Sequence, residues 1–239
     1  MGVAVQLAAL DRSCVVQAIC GGLHRTCRRG SLPRHRAGGN GQAARQNEAD
    51  RSDTARLRVV AEVKPPPKRF TVGILGSLGA DKAPHVLLQA WKKLGYKDAT
   101  LMIGGKDSTS DWARHVLSTY GGGNVRLTGW LANVSDLYDN ISLLVVCSAT
   151  EGFNCEAVEC MAHGRPVICS DAAGAVDLVP TWYRFKAGNV DELASKIDQV
   201  RLRGGCTESP CYPNWRGIAE NCTWDKIRER YKTLWRALG

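Results

Sequence analysis

Two glutamates at the junction of a loop and a helix have the chemistry and spacing of a ligand site. Glu151 lies in the loop Ser148–Cys155, and Glu159 lies in the helix that follows, with seven residues between the two. Carboxylates accept hydrogen bonds from sugar hydroxyls, and free amides at a helix start bind phosphate oxygens. Glu156 is assigned the ordinary role of offsetting the helix dipole, worth about 0.3–1 kcal/mol. The pattern predicts one cleft lined by Glu151 and Glu159.

A second loop, Gly76–Lys82, carries two glycines and ends on a lysine ahead of a predicted helix. Gly76 and Gly79 let backbone amides approach an anion, and Lys82 adds a positive charge at the helix N-terminus. The loop matches neither a Walker A motif nor a G-x-G-x-x-G motif. It fits a diphosphate cradle, and a glycine-rich turn with a solvated lysine is the alternative interpretation.

A third loop, Ser170–Gly174, consists mostly of small residues and follows another apolar run. Small side chains leave room for a ligand or for a neighbouring loop. Taken alone, this loop does not distinguish between the two.

Apolar runs alternate with segments of helical period from Phe70 onward, and they predict the elements that must position these loops. Strands are predicted over 70–75, 99–103, 124–128, 142–147 and 166–169, and helices over 84–94, 110–120, 134–140 and 156–163. Strands that alternate with helices pair in parallel through right-handed crossovers. The sequence therefore predicts an α/β fold with a doubly wound, mostly parallel Rossmann-like sheet, whose ligands bind at the carboxyl ends of the strands.

Charge separates the first part of the chain from the rest. Residues 1–69 hold 11 Arg, 2 Lys and 5 acidic residues, a net charge of +8, whereas the remainder holds 19 basic and 18 acidic residues. We predict that residues 1–68 form a disordered, Arg-rich segment ending in the Pro-rich spacer Lys64–Lys68, and that 69–239 form the folded domain. The segment has the composition of a transit peptide, a basic arm, or translated sequence never selected to fold.

The ten cysteines match no common zinc spacing, and no C-x-x-C occurs. No secretory signal or membrane-spanning run is visible, so free thiols, a cytoplasmic location and no metal site are expected. A bridge within the trio Cys206, Cys211 and Cys222 is left open.

The run Glu151–Ile168, EGFNCEAVECMAHGRPVI, resembles the signature of retaining nucleotide-sugar glycosyltransferases of family 4, E-G-F-G-[LI]-x-x-x-E-A-M-A-x-G-x-P-V-I. Three further segments occur in the family's order. Gly76–Lys82 resembles its G-R-L-x-x-x-K-G loop, Val125–Gly129 its V-x-F-x-G strand, and Thr223-Trp224 the start of its closing helix. The resemblance runs from about Phe70 to the end of the chain.

The resemblance implies the C-terminal, donor-binding half of a GT-B enzyme. By this likeness Glu151 is the catalytic candidate, lying against the donor sugar near the reacting carbon. Lys82 would pair with the diphosphate, and Glu159 would accept hydrogen bonds from the ribose. The remaining donor-binding candidates are Gly79 in the cradle, the amides of Phe153, Asn154 and Cys155 near the diphosphate, and Gly129 with Trp130 near the base.

This chemistry needs no bound metal, because amides and a lysine can stabilise the charge that develops on the leaving diphosphate. The sugar passes through an oxocarbenium-like state that a nearby carboxylate can steady. The chain lacks the Asp-x-Asp pair of metal-dependent transferases. It departs from the family pattern at Ser77, where the family has Arg, at Asn154, where it has Gly, and at Cys155, where it has an aliphatic residue.

Residues 1–68 cannot supply the acceptor domain of such an enzyme, since they carry neither alternating strands nor enough apolar residues. We therefore expect a nucleotide-sugar-binding domain that transfers little alone and works with a separate acceptor-binding domain or subunit, or a truncated gene product. A helix with an apolar stripe, Trp224 to Trp235, either packs on its own sheet or is left exposed for association.

Three alternatives remain: a non-catalytic nucleotide-sugar-binding module, a nucleic-acid-associated protein driven by the basic arm, and a GT-B-shaped sugar epimerase. The near-neutral body gives no reason to expect a nucleic-acid partner. Peripheral contact with a membrane stays open. The base, the sugar and the acceptor are not specified by these residues.

Overall fold

The computed structural model describes residues 60–76, 79–106, 110–120, 124–203 and 213–238. Of the segment 1–68 that is predicted to be disordered, residues 1–59 lie outside these ranges, as do Ser77, Cys206 and Cys211. Cys222 is buried, and the bridge left open within its trio lies outside the described residues.

Six parallel strands form one sheet in the order β3-β2-β1-β4-β5-β6. The strands are β1 (Thr71–Leu75), β2 (Thr100–Gly104), β3 (Val125–Gly129), β4 (Leu143–Val146), β5 (Val167–Ser170) and β6 (Arg184–Phe185). The helices are α1 (Pro84–Leu94), α2 (Asp111–Tyr120), α3 (Ser135–Asp139), α4 (Cys155–Ala162), α5 (Val190–Leu202), α6 (Trp215–Glu220) and α7 (Trp224–Leu238). The predicted doubly wound, parallel α/β fold is confirmed.

The strand order explains why two distant loops meet. The chain moves outward from β1 to β3 and then returns to place β4 on the other side of β1. Loops that follow β1 and β4 therefore leave the same edge of the sheet in opposite directions, which opens a crevice at the switch point. Buried residues of β4 and of α4 fill the core beneath this crevice.

The five predicted strands and four predicted helices are present, with ends shifted by one residue at most places. β6, α5 and α6 were not predicted from the sequence. β6 has only two residues, too few for a period to show. α5 did carry a readable signal, because its buried residues Leu193, Ala194, Ile197 and Val200 recur at helical spacing and Asn189 caps its start.

Helix α7 leaves much of its apolar stripe in contact with solvent. Trp224, Tyr231, Leu234 and Trp235 are 52%, 39%, 44% and 70% exposed. The interpretation in which this stripe packs on its own sheet is therefore wrong for these four side chains. Among the described helices, none has the length and apolar character needed to span a membrane.

The Pro-rich spacer packs along the domain beside the turn after α4. Lys64 Nζ lies 2.6 Å from Asp139 Oδ2, and the carbonyl of Pro65 accepts a hydrogen bond from Arg165 at 3.1 Å. A Cβ placed on Gly164 would lie 2.8 Å from Val63 Cγ1, so glycine allows the close approach of the spacer.

Candidate functional site

Lys82 lies at the switch point of the sheet, in a 3₁₀ turn between β1 and α1. Ala83 adopts a left-handed conformation with φ 44°, and Pro84 then begins α1. The Lys82 ammonium is hydrogen-bonded to Glu151 and lies 2.9 Å from Glu156 Oε1. Its side chain is only 13% exposed, so two loops far apart in sequence enclose one cation.

Glu151 is held by groups from several parts of the site. Its carboxylate also accepts hydrogen bonds from Ser148 Oγ, at 2.6 Å, and from the side-chain amide nitrogen Nδ2 of Asn154. The carbonyl of Ser148 in turn accepts a bond from Ser170 Oγ at 2.6 Å, which ties the end of β5 to this loop. The catalytic candidate thus has a fixed carboxylate in contact with the lysine.

Glu156 belongs to this cluster, and its assignment to a helix-dipole role alone is wrong. It lies in the first turn of α4, as that role requires, but its Oε1 also accepts from Lys82 and, at 3.2 Å, from Asn154 Nδ2. No sequence signal marked it, because only the path of the preceding loop turns this side chain toward the lysine.

Asn154 occupies a buried position between the two carboxylates. Its Nδ2 donates to both Glu151 and Glu156, while its Oδ1 is buried and has no hydrogen-bond partner among the described residues. The side chain that stands where the family pattern has glycine therefore joins the acidic pair to the loop.

Electrostatics keep Lys82 charged. Burial lowers the pKa of Lys82, but the negative charges and hydrogen bonds of Glu156 and Glu151 raise it more, leaving it above its ordinary value of 10.5. One ammonium facing two carboxylates leaves an excess of negative charge, so an incoming anion must compete with both glutamates for the lysine.

Glu159 lies one helical turn beyond Glu156 on α4, with a different partner. Its Oε2 accepts a hydrogen bond from the hydroxyl of buried Tyr138 at 2.8 Å. Burial, reinforced by the charge of Glu159, raises the pKa of Tyr138, so its hydroxyl stays protonated and acts as a donor. No motif or spacing in the sequence marked Tyr138.

The other predicted residues occupy the same sheet edge at varied depths. Gly79 begins the 3₁₀ turn, and its carbonyl accepts from the Lys82 amide at 3.1 Å. Phe153 is half-buried against the core, and Cys155 is exposed at the start of α4. Gly129 ends β3, two strands from β1, and Trp130, which follows it, is 74% exposed.

Backbone contacts hold the loops together. The amide of Ala149 donates to the carbonyl of Asp81 at 2.8 Å, which joins the loop after β4 to the 3₁₀ turn. A Cβ on Gly174 would lie 1.2 Å from the Gly152 carbonyl oxygen. The small third loop therefore makes room for its neighbour, one of the two interpretations that the sequence left open.

The site thus combines a charged lysine, two fixed carboxylates and a third carboxylate one turn away. Within the described ranges, no group of three or more His, Cys, Asp or Glu side chains is placed to hold a metal ion. The arrangement can bind an anion at Lys82 and hydroxyl groups at the carboxylates.

Comparison with known proteins finds a matching family and several relatives. A model of the family described as Glycosyl transferases group 1 matches residues 69–201, more than half of the chain. The capsular polysaccharide biosynthesis glycosyltransferase CapM of Staphylococcus aureus is 27% identical over 178 residues, covering 69% of this chain and 46% of CapM. The N,N'-diacetylbacillosaminyl-diphospho-undecaprenol alpha-1,3-N-acetylgalactosaminyltransferase of Campylobacter jejuni is 29% identical over 138 residues, covering 51% of this chain and 36% of that protein. The chain spans less than half the length of both.

Solved structures share the fold. Anabaena HepE in complex with UDP-glucose superposes with a TM-score of 0.59 at 23% identity, covering 70% of this chain and 49% of HepE. The apo form of the lipopolysaccharide outer core galactosyltransferase WaaB gives a TM-score of 0.65 at 19% identity, covering 77% of this chain and 54% of WaaB.

Proposed function

The chain belongs to the group 1 glycosyltransferases, and from that premise we propose that it is the donor-binding half of a GT-B enzyme, which binds a nucleotide-diphosphate sugar for transfer to an acceptor. The observation that carries this proposal is the enclosure of Lys82 by Glu151 and Glu156 at the switch point of the sheet. Ligands of open α/β sheets bind at that point.

In this proposal Lys82 binds the donor diphosphate after leaving its glutamates. The cation neutralises charge that builds on the diphosphate as the bond to the sugar breaks. Amides of Phe153, Asn154 and Cys155, where the loop enters α4, add further donors for the anion. These groups support departure of the diphosphate without a metal ion.

Glu151 acts on the sugar in this scheme. Once Lys82 turns to the diphosphate, the Glu151 carboxylate stays fixed by Ser148 and Asn154. A fixed carboxylate beside the sugar ring stabilises the positive charge of an oxocarbenium-like state. We propose transfer with retention on the basis of the E-x₇-E pattern that Glu151 forms with Glu159.

The nucleoside is placed by Glu159 and by the end of β3. Glu159 accepts hydrogen bonds from ribose hydroxyls, and the exposed ring of Trp130 beside Gly129 stacks on the base. A uridine nucleotide is the first ligand to test, because HepE, which shares the fold, is known in complex with UDP-glucose.

Transfer itself requires a second, acceptor-binding domain, in the same protein or in a partner. Catalysis by proximity needs both reactants held in one geometry, and the described domain supplies one wall of the cleft. A non-catalytic nucleotide-sugar-binding module is the second candidate, since it uses the same pocket without that wall.

Calorimetric titration with UDP-, GDP- and ADP-sugars tests the binding assignment. We expect saturable binding of one of them, weakened about tenfold or more in Lys82→Ala and Glu159→Ala, because each loses a hydrogen bond to a charged group. Lys93→Ala is the matched control, since Lys93 pairs with Asp191 on an exposed surface. Binding that is unaffected by both site variants contradicts the proposal.

Two additions separate the finer claims. Titration in EDTA should leave donor affinity unchanged if the site needs no metal ion. Mixing the chain with a separately expressed acceptor domain of a relative, and measuring sugar transfer, distinguishes the enzyme half from the binding module. The module predicts no transfer with any acceptor domain.

A further inference from the structure

Tyr138 is a buried tyrosine whose hydroxyl points at a ligand-binding candidate. It is 0% exposed, and its hydroxyl oxygen lies 2.8 Å from Glu159 Oε2. The residue belongs to α3, between β3 and β4, whereas Glu159 belongs to α4. The hydrogen bond thus joins two elements that the chain connects only through β4 and the Glu151 loop.

The backbone of Tyr138 is held in place by the buried side chain of Arg165. Its carbonyl accepts a hydrogen bond from Arg165 Nε at 3.0 Å, and Arg165 is 1% exposed. The same guanidinium donates to the carbonyl of Asp139 at 3.2 Å, and the ring of His163 packs 5.3 Å from the tyrosine ring. A residue fixed on these sides presents its hydroxyl at a defined point.

Glu159 needs such an anchor. A glutamate has three rotatable side-chain bonds, so a free carboxylate must be ordered when a ligand binds. Among the described residues, Tyr138 is the donor that reaches this carboxylate, and it reaches one oxygen, Oε2. The other oxygen, Oε1, remains for a ligand.

We propose that Tyr138 is a positioning residue that holds Glu159 Oε2, so that Oε1 accepts a hydrogen bond from the vicinal diol of the donor ribose. The proposal rests on the assignment of Glu159 to the ribose under the proposed function. It adds that discrimination of ribose from a deoxygenated sugar depends on a residue that does not touch the ligand.

The direction of this hydrogen bond is fixed. Burial and the neighbouring carboxylate raise the pKa of Tyr138, so the phenol stays the donor and Glu159 stays the acceptor. The carboxylate therefore accepts from Tyr138 at Oε2 and stays an acceptor for the ribose hydroxyls at Oε1.

The test compares a ribonucleoside diphosphate with its 2′,3′-dideoxy counterpart, using the base selected by the titrations above. In the wild type we expect the ribonucleotide to bind about tenfold more tightly, the size of a charged hydrogen bond. In Tyr138→Phe this ratio should fall to about twofold or less, with the dideoxynucleotide Kd nearly unchanged. Tyr183→Phe, at another buried tyrosine, is the control and should keep the full ratio.

A second variant keeps the test sharp if Tyr138→Phe does not fold. Glu159→Asp keeps the carboxylate but withdraws it from the tyrosine, and it should lose the ribose preference to a similar extent. Tyr138→Phe and Glu159→Ala combined should have no more effect on the ratio than Glu159→Ala alone.

The outcomes separate the two levels of inference. If Glu159→Ala abolishes ribose preference while Tyr138→Phe and Glu159→Asp preserve it, Tyr138 has no positioning role. An equal loss of affinity for both nucleotides in Tyr138→Phe likewise overturns the proposal, because it reports packing. If the wild type shows no ribose preference or Glu159→Ala keeps it, the assignment of Glu159 under the proposed function fails.

Discussion

Lys82 is shared by two carboxylates that have different relations to the rest of the site. Glu151 is tied to Ser148 and Asn154 as well as to the lysine. Glu156 is tied to the lysine and to Asn154 from the first turn of α4. The two glutamates compete with any anionic ligand for the same ammonium, so removing one negative charge should affect binding and chemistry differently.

Neutralising Glu156 should strengthen nucleotide binding. Glu156→Gln keeps a hydrogen-bond acceptor but removes one charge that holds Lys82, so we expect the diphosphate Kd to fall by up to about fivefold, the range of a partly screened ion pair. Calorimetry of the ribonucleoside diphosphate measures this change. Asp191→Asn, which removes an exposed carboxylate also paired with a lysine, should leave the Kd unchanged; weaker binding in Glu156→Gln would show that the glutamate is not a competitor.

The stabilising contribution of Lys82 should depend on pH in the alkaline range. Its pKa is raised above 10.5, so the contribution is fully present below about pH 10.5 and is lost as the pH rises through the folded-state value. The difference in Tm between wild type and Lys82→Met should be constant from about pH 7 to 10. At higher pH the Tm of the wild type should fall relative to that of Lys82→Met. A constant difference up to pH 11 would contradict the raised pKa.

At the scale of elements, the loops of the site are held by close backbone contacts at glycines. Gly174 leaves no room for a Cβ beside the carbonyl of Gly152, and Gly105, with φ 130°, leaves none beside the carbonyl of Gly76. The loops after β5 and β2 therefore pack directly on the two loops that carry the candidate residues. This packing explains how short segments without regular strand structure hold Lys82 and Glu151 at fixed positions relative to each other.

Gly174→Ala should loosen this packing. The added methyl would collide with backbone, so we expect a loss of about 1–3 kcal/mol in the free energy of unfolding, together with weaker nucleotide binding. Chemical denaturation measures the stability. Gly152→Ala is the matched control at the same contact, because its Cβ would meet no atom within 4 Å and should cost less than about 0.5 kcal/mol.

At the scale of the whole molecule, four of the seven exposed large hydrophobic side chains among the described residues lie on α7. Two tryptophans, a tyrosine and a leucine of that helix lie in contact with solvent. Exposed apolar patches favour association. The stripe lies away from Lys82 in sequence and on a different element, so its removal and the loss of donor binding should be separable.

Polar substitution of the stripe should reduce self-association. Leu234→Gln with Trp235→Gln is expected to shift the purified chain toward monomer in sedimentation experiments, while the nucleotide Kd stays within about twofold of the wild type. Thr233→Gln, at an exposed position outside the stripe on the same helix, is the control. If the double variant and the control associate equally, the stripe does not drive association.

Much of the fold followed from local patterns. Apolar runs such as that of β4 and the helical spacing of α1 predicted the alternation of strands and helices, and alternation restricts the topology to parallel crossovers. The candidate residues Lys82 and Glu151 followed from loops at strand ends. β6 was missed because two residues carry no period.

The amino-acid sequence by itself determined the alternating elements, the parallel sheet, the loops that carry Lys82 and Glu151, and the helix that carries Glu159. Only the tertiary structure decided that Glu156 shares the lysine and that Tyr138 holds Glu159. Both depend on side-chain directions across loops and between helices far apart in the chain. Local periodicity specifies which face of an element is buried. These contacts, in contrast, are specified only by the packing of strands, loops and helices in the folded domain.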